Sequence, residues 1–214
     1  MSDRATANKM VGDAYKIPPS FVEETTGLVV PERLRRPSAE VQITGRVDEA
    51  MFKKLCEDFS KIEKGNGNKD SLDISLASFG GSVYFGFAIF DRISQFSKAN
   101  NAPVSITGYG PIMSMGAFII QSGDIRRMPE NSTMLIHPTS GEMRGSIEDT
   151  RFELAQREII EKQYIKVVSD RIRKSGRSDF TDEELDRVMH ANGNNGTYFT
   201  AQEAKDFGLI DEIV

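Results

Sequence analysis

The sequence predicts an α/β fold with a mainly parallel β-sheet, and three observations favour this class. Strand-like and helix-like stretches alternate along the chain, as in parallel sheets whose connections are helices. Two strand-to-helix junctions, 78–83 and 108–117, are rich in glycine, which suits tight turns. The length of 214 residues is enough for one domain with a sizeable buried core.

The period of the apolar residues places the elements in order behind a flexible N-terminal arm. We assign the arm to 1–27 and a single domain to 28–214. The predicted strands are 39–45, 71–78, 102–110, 124–128, 133–137, 197–199 and 209–214. The predicted helices are 47–65, 83–96, 114–123, 146–174, 182–191 and 200–208. Three helix starts carry capping residues, which are Asp48, Ser146 with Asp149, and Thr200 with Glu203.

The segment 124–137 predicts two short strands around the turn Pro-Glu-Asn-Ser, which is a hairpin. The helix after Ser146 would be about 42 Å long at 1.5 Å per residue, so part of it should project from the domain. Its apolar residues recur at helical spacing. A projecting helix with an apolar stripe favours self-association.

Composition excludes several classes of function. The formal net charge is −5, so no basic face indicates a nucleic-acid partner. No apolar run reaches membrane-spanning length, and the polar N-terminus lacks a secretory signal, so we expect no membrane association. The single cysteine, Cys56, excludes an intrachain disulfide and a CxxC metal site, and favours a cytoplasmic location. Cys56 itself lies on an apolar helix face and reads as a packing residue.

Three features that fall at one edge of the predicted sheet could carry acyl-transfer chemistry. Gly80 and Gly81 would expose backbone N–H groups, Ser114 would start a helix, and His137 would end a strand. Each feature alone also fits a structural role: a tight turn, a helix N-cap and a satisfied histidine. Together they are the parts of a nucleophile, a general base and an oxyanion site that includes the Met115 N–H. The second histidine, His190, near the end of a short helix, reads as structural.

These residues resemble the proteolytic subunit of the Clp protease, a serine peptidase of the Clp/crotonase superfamily. The resemblance spans roughly 27–214, and it is carried by the motifs SFGGSV, SMGAFIIQSGDIRRMPENSTMLIHP and TAQEAKDFGLIDEIV. Some details look more like divergent or phage-associated members.

The resemblance implies a fold, an activity and an assembly. The fold would be the ββα superhelix of that superfamily, with the long helix as a projecting handle. Ser114 would be the nucleophile, His137 the general base, and the N–H groups of Gly81 and Met115 the oxyanion hole, with no metal and no cofactor. Heptameric rings, stacked in pairs, would enclose a chamber that receives unfolded polypeptide from an ATP-driven AAA+ unfoldase.

The sequence departs from the family pattern at three places. Phe79 replaces a proline before the glycine pair, and Pro138 follows His137 directly, without the usual intervening residue. Gly196 stands where the family has its catalytic aspartate, four residues before the capping Thr200. A triad without its acid loses the group that orients the imidazole. Asn195 could replace it, Asp186 could replace it, or nothing does.

These departures keep several functions open. The leading one is a serine endopeptidase that cleaves unfolded polypeptides inside an oligomeric chamber. A catalytically weak or inactive ring subunit is the first alternative, and a phage head-maturation protease, with the same chemistry and another substrate, is the second. An acyl-CoA enzyme of the crotonase branch is disfavoured, because the loops after both glycine turns lack carboxylates.

Overall fold

The computed structural model describes residues 39–65, 71–141 and 145–214. These residues belong to a unit that extends over Ser38–Val214. The predicted arm at 1–27 and the predicted boundary at residue 28 lie outside the described residues. In the described part of the chain, no helix is both long and apolar enough to cross a lipid bilayer.

The described residues form a mixed α/β structure around a mainly parallel sheet, which confirms the predicted fold class. The strands are β1 (Ala39–Val47), β2 (Leu72–Gly81), β3 (Val104–Met113), β4 (Ile125–Met128), β5 (Thr133–Ile136), β6 (Thr197–Thr200) and β7 (Glu212–Ile213). They lie in the order β1-β2-β3-β4-β7, with β5 paired to β3 and β6 paired to β5. The pairing of β5 with β6 is antiparallel and the other pairs are parallel.

The helices follow the predicted alternation. They are α1 (Glu49–Lys64), α2 (Val83–Asn100), α3 (Met115–Ile119), α4 (Ile147–Lys174), α5 (Asp182–Met189), α6 (Ala191–Asn194) and α7 (Ala201–Phe207), and a 3₁₀ turn, Ile120–Ser122, continues α3. Each predicted cap forms. Asp48 accepts a hydrogen bond from the N–H of Met51, and capping boxes start α4 and α7. These local bonds satisfy N–H groups that a helix cannot satisfy itself.

Two strands run further than the sequence predicted. The sequence predicted an end of β2 at Ser78, but the strand continues through Gly80 and Gly81, which pair with Arg46 and Val47 of β1 after a shift in register. Likewise β3 continues to Met113 instead of ending at residue 110. Glycine at a positive φ can stay within a strand where the ladder is locally irregular, so a glycine pair does not by itself end a strand.

The predicted hairpin at 124–137 is wrong. Both β4 and β5 are parallel to β3, with Ile125 opposite Ser105 and Thr133 opposite Pro111. The two short strands therefore run in the same direction along one neighbour. The intervening residues make only a local turn, closed by the Ser132 N–H to the Pro129 carbonyl. Pairing of both strands with β3 outweighs the weak preference of the Pro-Glu-Asn-Ser turn to reverse the direction of the chain.

The long helix α4 has two different halves. Its second half packs into the core through buried side chains, which are Tyr164, Ile165, Val168 and Ile172. Its first half exposes large apolar side chains, which are Ile147, Phe152, Leu154 and Ile159. This is the pattern expected of a helix that projects from its domain and whose apolar side chains suit another protein surface.

A partly buried ion pair joins β4 to Asp211, the residue just before the C-terminal strand. Arg126 is 1% exposed, and its guanidinium donates to both carboxylate oxygens of Asp211, at 3.0 and 2.6 Å. The same guanidinium donates to the Gln121 side chain and to the Gly208 carbonyl. Burial would raise the pKa of Asp211, but the hydrogen bonds and charge of Arg126 outweigh it and lower that pKa.

We expect Asp211→Asn to reduce the free energy of unfolding at neutral pH by about 3 kcal/mol, because it leaves a buried guanidinium without its charge partner. The folded-state pKa of Asp211 is lowered. The stabilisation is therefore present above the unfolded value of about 3.9 and is lost as the pH falls through the folded value. Urea unfolding at several pH values should show that the free energies of unfolding of the native protein and Asp211→Asn converge in acid.

Glu212→Gln is the matched control. The Glu212 carboxylate pairs with Arg127 at the exposed surface, so its loss should change the free energy of unfolding by less than about 1 kcal/mol. A pH-independent gap would contradict the assignment.

Candidate active site

One cavity brings together the residues that the sequence singled out. It has a volume of about 60 Å³, and Gly81, Ser114, Met115 and His137 all line it. Ser114 directly follows β3 and His137 directly follows β5. Because these strands are parallel neighbours, their carboxyl ends meet at the same edge of the sheet. The remaining lining residues are Val83, Pro138, Thr139, Ser140, Ile160, Glu161, Tyr164 and Met189.

Ser114 has a strained backbone and a hydroxyl that does not cap its helix. Its φ of 55° and ψ of −120° are unusual for any residue with a side chain. The conformation is held by the parallel ladder, in which the Ser114 N–H donates to the Leu135 carbonyl at 2.9 Å. Although Ser114 precedes α3, its side chain makes no capping hydrogen bond. Strain of this kind is found where the surrounding structure holds a functional group in place.

The glycine pair has no room for a side chain, at Gly80 because of Ser114 and at Gly81 because of Val47. A Cβ on Gly80 would lie 2.6 Å from the Ser114 Cβ and 3.1 Å from its Oγ, and the φ of Gly80 is +95°. A Cβ on Gly81 would lie 2.3 Å from the Val47 carbonyl oxygen. Both positions therefore require glycine for space, beyond any preference for a turn.

Ser78 supports this turn, and the sequence analysis missed its role. Its buried hydroxyl donates to the Gly45 carbonyl at 2.6 Å and accepts from the Gly80 N–H at 3.0 Å. It thereby ties the glycine pair to β1. A serine two residues before a Gly-Gly pair is a weak signal, because its partner at Gly45 lies 33 residues away.

The imidazole of His137 is oriented by a backbone carbonyl. Its Nδ1 lies 2.7 Å from the carbonyl oxygen of Pro138. A carbonyl oxygen only accepts hydrogen bonds, so this bond requires the proton on Nδ1. In the neutral ring the lone pair is then on Nε2, which is the nitrogen available to act as a base.

Gly196 faces His137 across the pairing of β5 with β6. The register sets Ile136 opposite Thr197, so the next pair along the ladder is His137 and Gly196. A Cβ on Gly196 would lie 2.1 Å from the Ile136 carbonyl oxygen and 2.5 Å from the His137 Cβ. An aspartate therefore does not fit here without a shift of the backbone.

The two substitutes considered for the missing acid are engaged elsewhere. The Asn195 amide donates to the Asn192 carbonyl at 2.8 Å. The Asp186 carboxylate lies 3.3 Å from Nδ1 of His190. Neither contact involves His137.

A carboxylate that the sequence analysis did not select lines the same cavity. Glu161, on α4, accepts hydrogen bonds from the Thr139 N–H at 2.9 Å and the Thr139 hydroxyl at 3.1 Å. Its other oxygen lies 3.4 Å from Nε2 of His190, so this histidine has the structural contacts expected of it. Nearby, the buried Tyr164 hydroxyl has no hydrogen-bond partner among the described residues, and burial raises its pKa.

The group formed by Glu161, Asp186 and His190 does not suit a metal ion as it is arranged. One ligand-type atom from each lies within 4.8 Å of the others. However, Glu161 approaches Nε2 of the imidazole and Asp186 approaches Nδ1. A single ion binds one ring nitrogen, so these two carboxylates, which face different nitrogens, do not converge on one ion.

Comparison with known proteins matches most of the chain to Clp protease proteins. A family model described as Clp protease matches residues 29–214. An ATP-dependent Clp protease proteolytic subunit 2 from Corynebacterium glutamicum is 24% identical over 199 residues, which cover 92% of this chain and 88% of that protein. A protein of the same name from Mycolicibacterium paratuberculosis is 27% identical over 172 residues, which cover 78% of each chain.

We expect Gly196→Ala to lower the free energy of unfolding by about 2 kcal/mol or more, since the new methyl group would overlap the backbone beside His137. Urea denaturation measures this. Gly193→Ala is the matched control, because Gly193 has a similar positive φ of +68° and nothing within 4 Å of its added Cβ. Equal losses in the two variants would contradict the crowding at Gly196.

We also expect Ser114→Gly to be more stable than Ser114→Ala by about 1 kcal/mol. Both variants remove the hydroxyl, but only glycine relieves the backbone strain at φ 55° and ψ −120°. The greater entropy of glycine in the unfolded chain offsets part of the gain. Thermal and urea unfolding of the two variants provide the test, and a less stable glycine variant would show that the serine backbone is not strained.

Proposed function

The chain belongs to the Clp protease family, and we propose that it is a serine endopeptidase with Ser114 as nucleophile and His137 as general base. The observation that carries the proposal is the cavity where both residues meet Gly81 and Met115. The strained, uncapped serine and the free Nε2 lone pair of the histidine support it further.

The proposed reaction uses these groups in two half-reactions. Nε2 of His137 accepts the hydroxyl proton as Oγ of Ser114 attacks the scissile carbonyl carbon. The resulting oxyanion accepts hydrogen bonds from the N–H groups of Gly81 and Met115. The intermediate collapses, the C–N bond breaks, and the leaving amine takes the proton from His137. A water molecule, deprotonated by the same imidazole, then attacks the acyl carbon. The bond from that carbon to Oγ breaks, and Oγ takes the proton back from His137, which regenerates Ser114.

The assembly is also a proposal. The exposed apolar side chains of α4 support contacts between copies of the chain. The two relatives are named as proteolytic subunits of an ATP-dependent protease. We infer a homo-oligomer of heptameric rings, stacked in pairs, in the cytoplasm, which takes unfolded polypeptide from an AAA+ unfoldase. The net charge of −5 argues against nucleic acid as a partner.

A second candidate is a ring subunit without catalytic activity. Gly196 favours it, because the usual carboxylate is absent and cannot be added without a shift of the backbone beside Ile136 and His137. The two candidates differ in whether Ser114 reacts with an acylating reagent, since a non-catalytic subunit gains nothing from an activated serine.

We expect a fluorophosphonate probe to label Ser114 in the assembled protein, with the site identified by mass spectrometry. Ser114→Ala should abolish labelling, and His137→Ala should slow it by about a thousandfold or more, because the base is lost. The Corynebacterium glutamicum relative serves as the positive control. An unlabelled chain beside a labelled relative would overturn the enzymatic proposal in favour of the non-catalytic subunit.

A further inference from the structure

The missing triad acid raises the question of what holds His137 in its productive orientation. We propose that Glu161 is a positioning residue that acts on His137 through the peptide group between Pro138 and Thr139. This inference rests on the proposed function, since it assigns a role within the same reaction. The role is the one that a buried aspartate has in a catalytic triad, performed here through one intervening peptide.

A single peptide group joins the two residues. Its carbonyl oxygen, from Pro138, accepts the hydrogen bond from Nδ1 of His137 at 2.7 Å. Its N–H, from Thr139, donates to Oε2 of Glu161 at 2.9 Å. The peptide is trans, so its N–H and carbonyl point in opposite directions. The order of groups is therefore carboxylate, peptide and imidazole, in one hydrogen-bonded chain.

This chain can transmit both orientation and charge. A carboxylate on the N–H side polarises the peptide and makes its carbonyl oxygen a stronger acceptor. A stronger acceptor holds the proton on Nδ1, keeps the lone pair on Nε2, and stabilises the imidazolium that forms when Ser114 loses its proton. These are the contributions for which a triad needs its acid.

The surroundings restrict the peptide to this arrangement. Pro138 is buried, and its ring fixes its own φ. Glu161 makes a second hydrogen bond, to the Thr139 hydroxyl at 3.1 Å, so that two bonds fix its Oε2. Its Oε1 lies 3.4 Å from Nε2 of His190, whose Nδ1 is 3.0 Å from the Asp186 carbonyl. Glu161 is thus fixed by Thr139, lies next to His190, and has a side chain that is only 19% exposed.

Among the described residues, few titratable groups lie near the hydrogen bonds that connect Glu161 to His137. Glu161 and Tyr164 share the cavity with His137. His190 and the Asp186 carboxylate lie behind Glu161. Glu161 is thus the carboxylate that both lines the cavity and joins the hydrogen-bonded chain to His137.

The first test reads the tautomer of His137 directly. The chain has two histidines, so ¹⁵N-histidine labelling gives two imidazoles, and the spectrum of His137→Ala assigns them. Magic-angle spinning NMR at about pH 8, above the usual range for histidine protonation, suits an assembly of any size. We expect a protonated Nδ1 and a bare Nε2 in the native protein, and a mixture of tautomers in Glu161→Ala.

The second test measures the rate at which the fluorophosphonate probe labels Ser114. We expect Glu161→Ala to slow labelling by about 10- to 100-fold, the effect of one lost charge-assisted hydrogen bond. Glu161→Gln keeps an acceptor for Thr139 without the charge, so its rate should fall between those of the native protein and the alanine variant. In peptide hydrolysis the loss should appear in kcat with KM nearly unchanged, because Glu161 does not touch the substrate carbonyl.

Two further variants keep the test decisive. Glu158→Gln makes the same chemical change at an exposed position on the same helix and should leave the rate unchanged. Thr139→Ala removes the hydroxyl and with it one of the two hydrogen bonds to Glu161, so it should slow labelling less than Glu161→Ala does. This milder variant keeps the test usable where Glu161→Ala folds poorly. If native Ser114 reacts, and the Glu161 variants react as fast as Glu158→Gln with an unchanged tautomer, the positioning role is refuted while the proposed function stands. If native Ser114 does not react, the proposed function fails first.

Discussion

The parallel pairing of β3 with β5 is the constraint on which the rest of the site depends. The Ser114 N–H donates to the Leu135 carbonyl in this ladder, and the register brings the end of β5 beside the serine. The pairing fixes Ser114 in a backbone conformation that a free chain would leave. Gly80 of β2 lies against the side chain of this serine, so its position has to be glycine. One ladder thus explains both the strain at Ser114 and the position of His137.

Crowding at the same edge determines how His137 can be supported. Antiparallel pairing with β6 sets Gly196 against the backbone of Ile136 and His137, where no side chain fits. A side chain at position 196 therefore cannot hold the imidazole of His137. On the side that faces α4, Glu161 accepts a hydrogen bond from the Thr139 N–H. A carboxylate that acts through a peptide group stabilises an imidazolium less than one in direct contact with the ring, because its charge is further away and acts only by polarising the peptide. The proposed enzyme would accordingly depend more on its backbone donors than a full triad does.

Residues near the C-terminus stabilise the helix that follows Ser114 through hydrogen bonds. Gln121, in the turn that continues α3, donates to the carbonyls of Ala117 and Leu209 and accepts from Arg126. Arg126 in turn is paired with Asp211. The short helix after Ser114 is therefore tied to the segment just before the last strand through buried and partly buried polar bonds. Such networks specify one arrangement of the core, because a partly satisfied alternative leaves buried groups unpaired.

The sequence by itself predicted the order and type of the elements, the helix caps, and the grouping of Gly81, Ser114, Met115 and His137, which line one cavity. These depend on local period, on capping side chains within three residues, and on motifs whose spacing is fixed along the chain. The tertiary structure alone decided that β4 and β5 are parallel to β3, that Gly196 has no room for a side chain, and that Glu161 reaches the peptide after His137. Glu161 lies 22 residues beyond Thr139, within a periodic charged helix where nothing distinguishes it from its exposed neighbours. Its role arises from which face of α4 packs against the end of β5, and that packing is a long-range property of the folded chain.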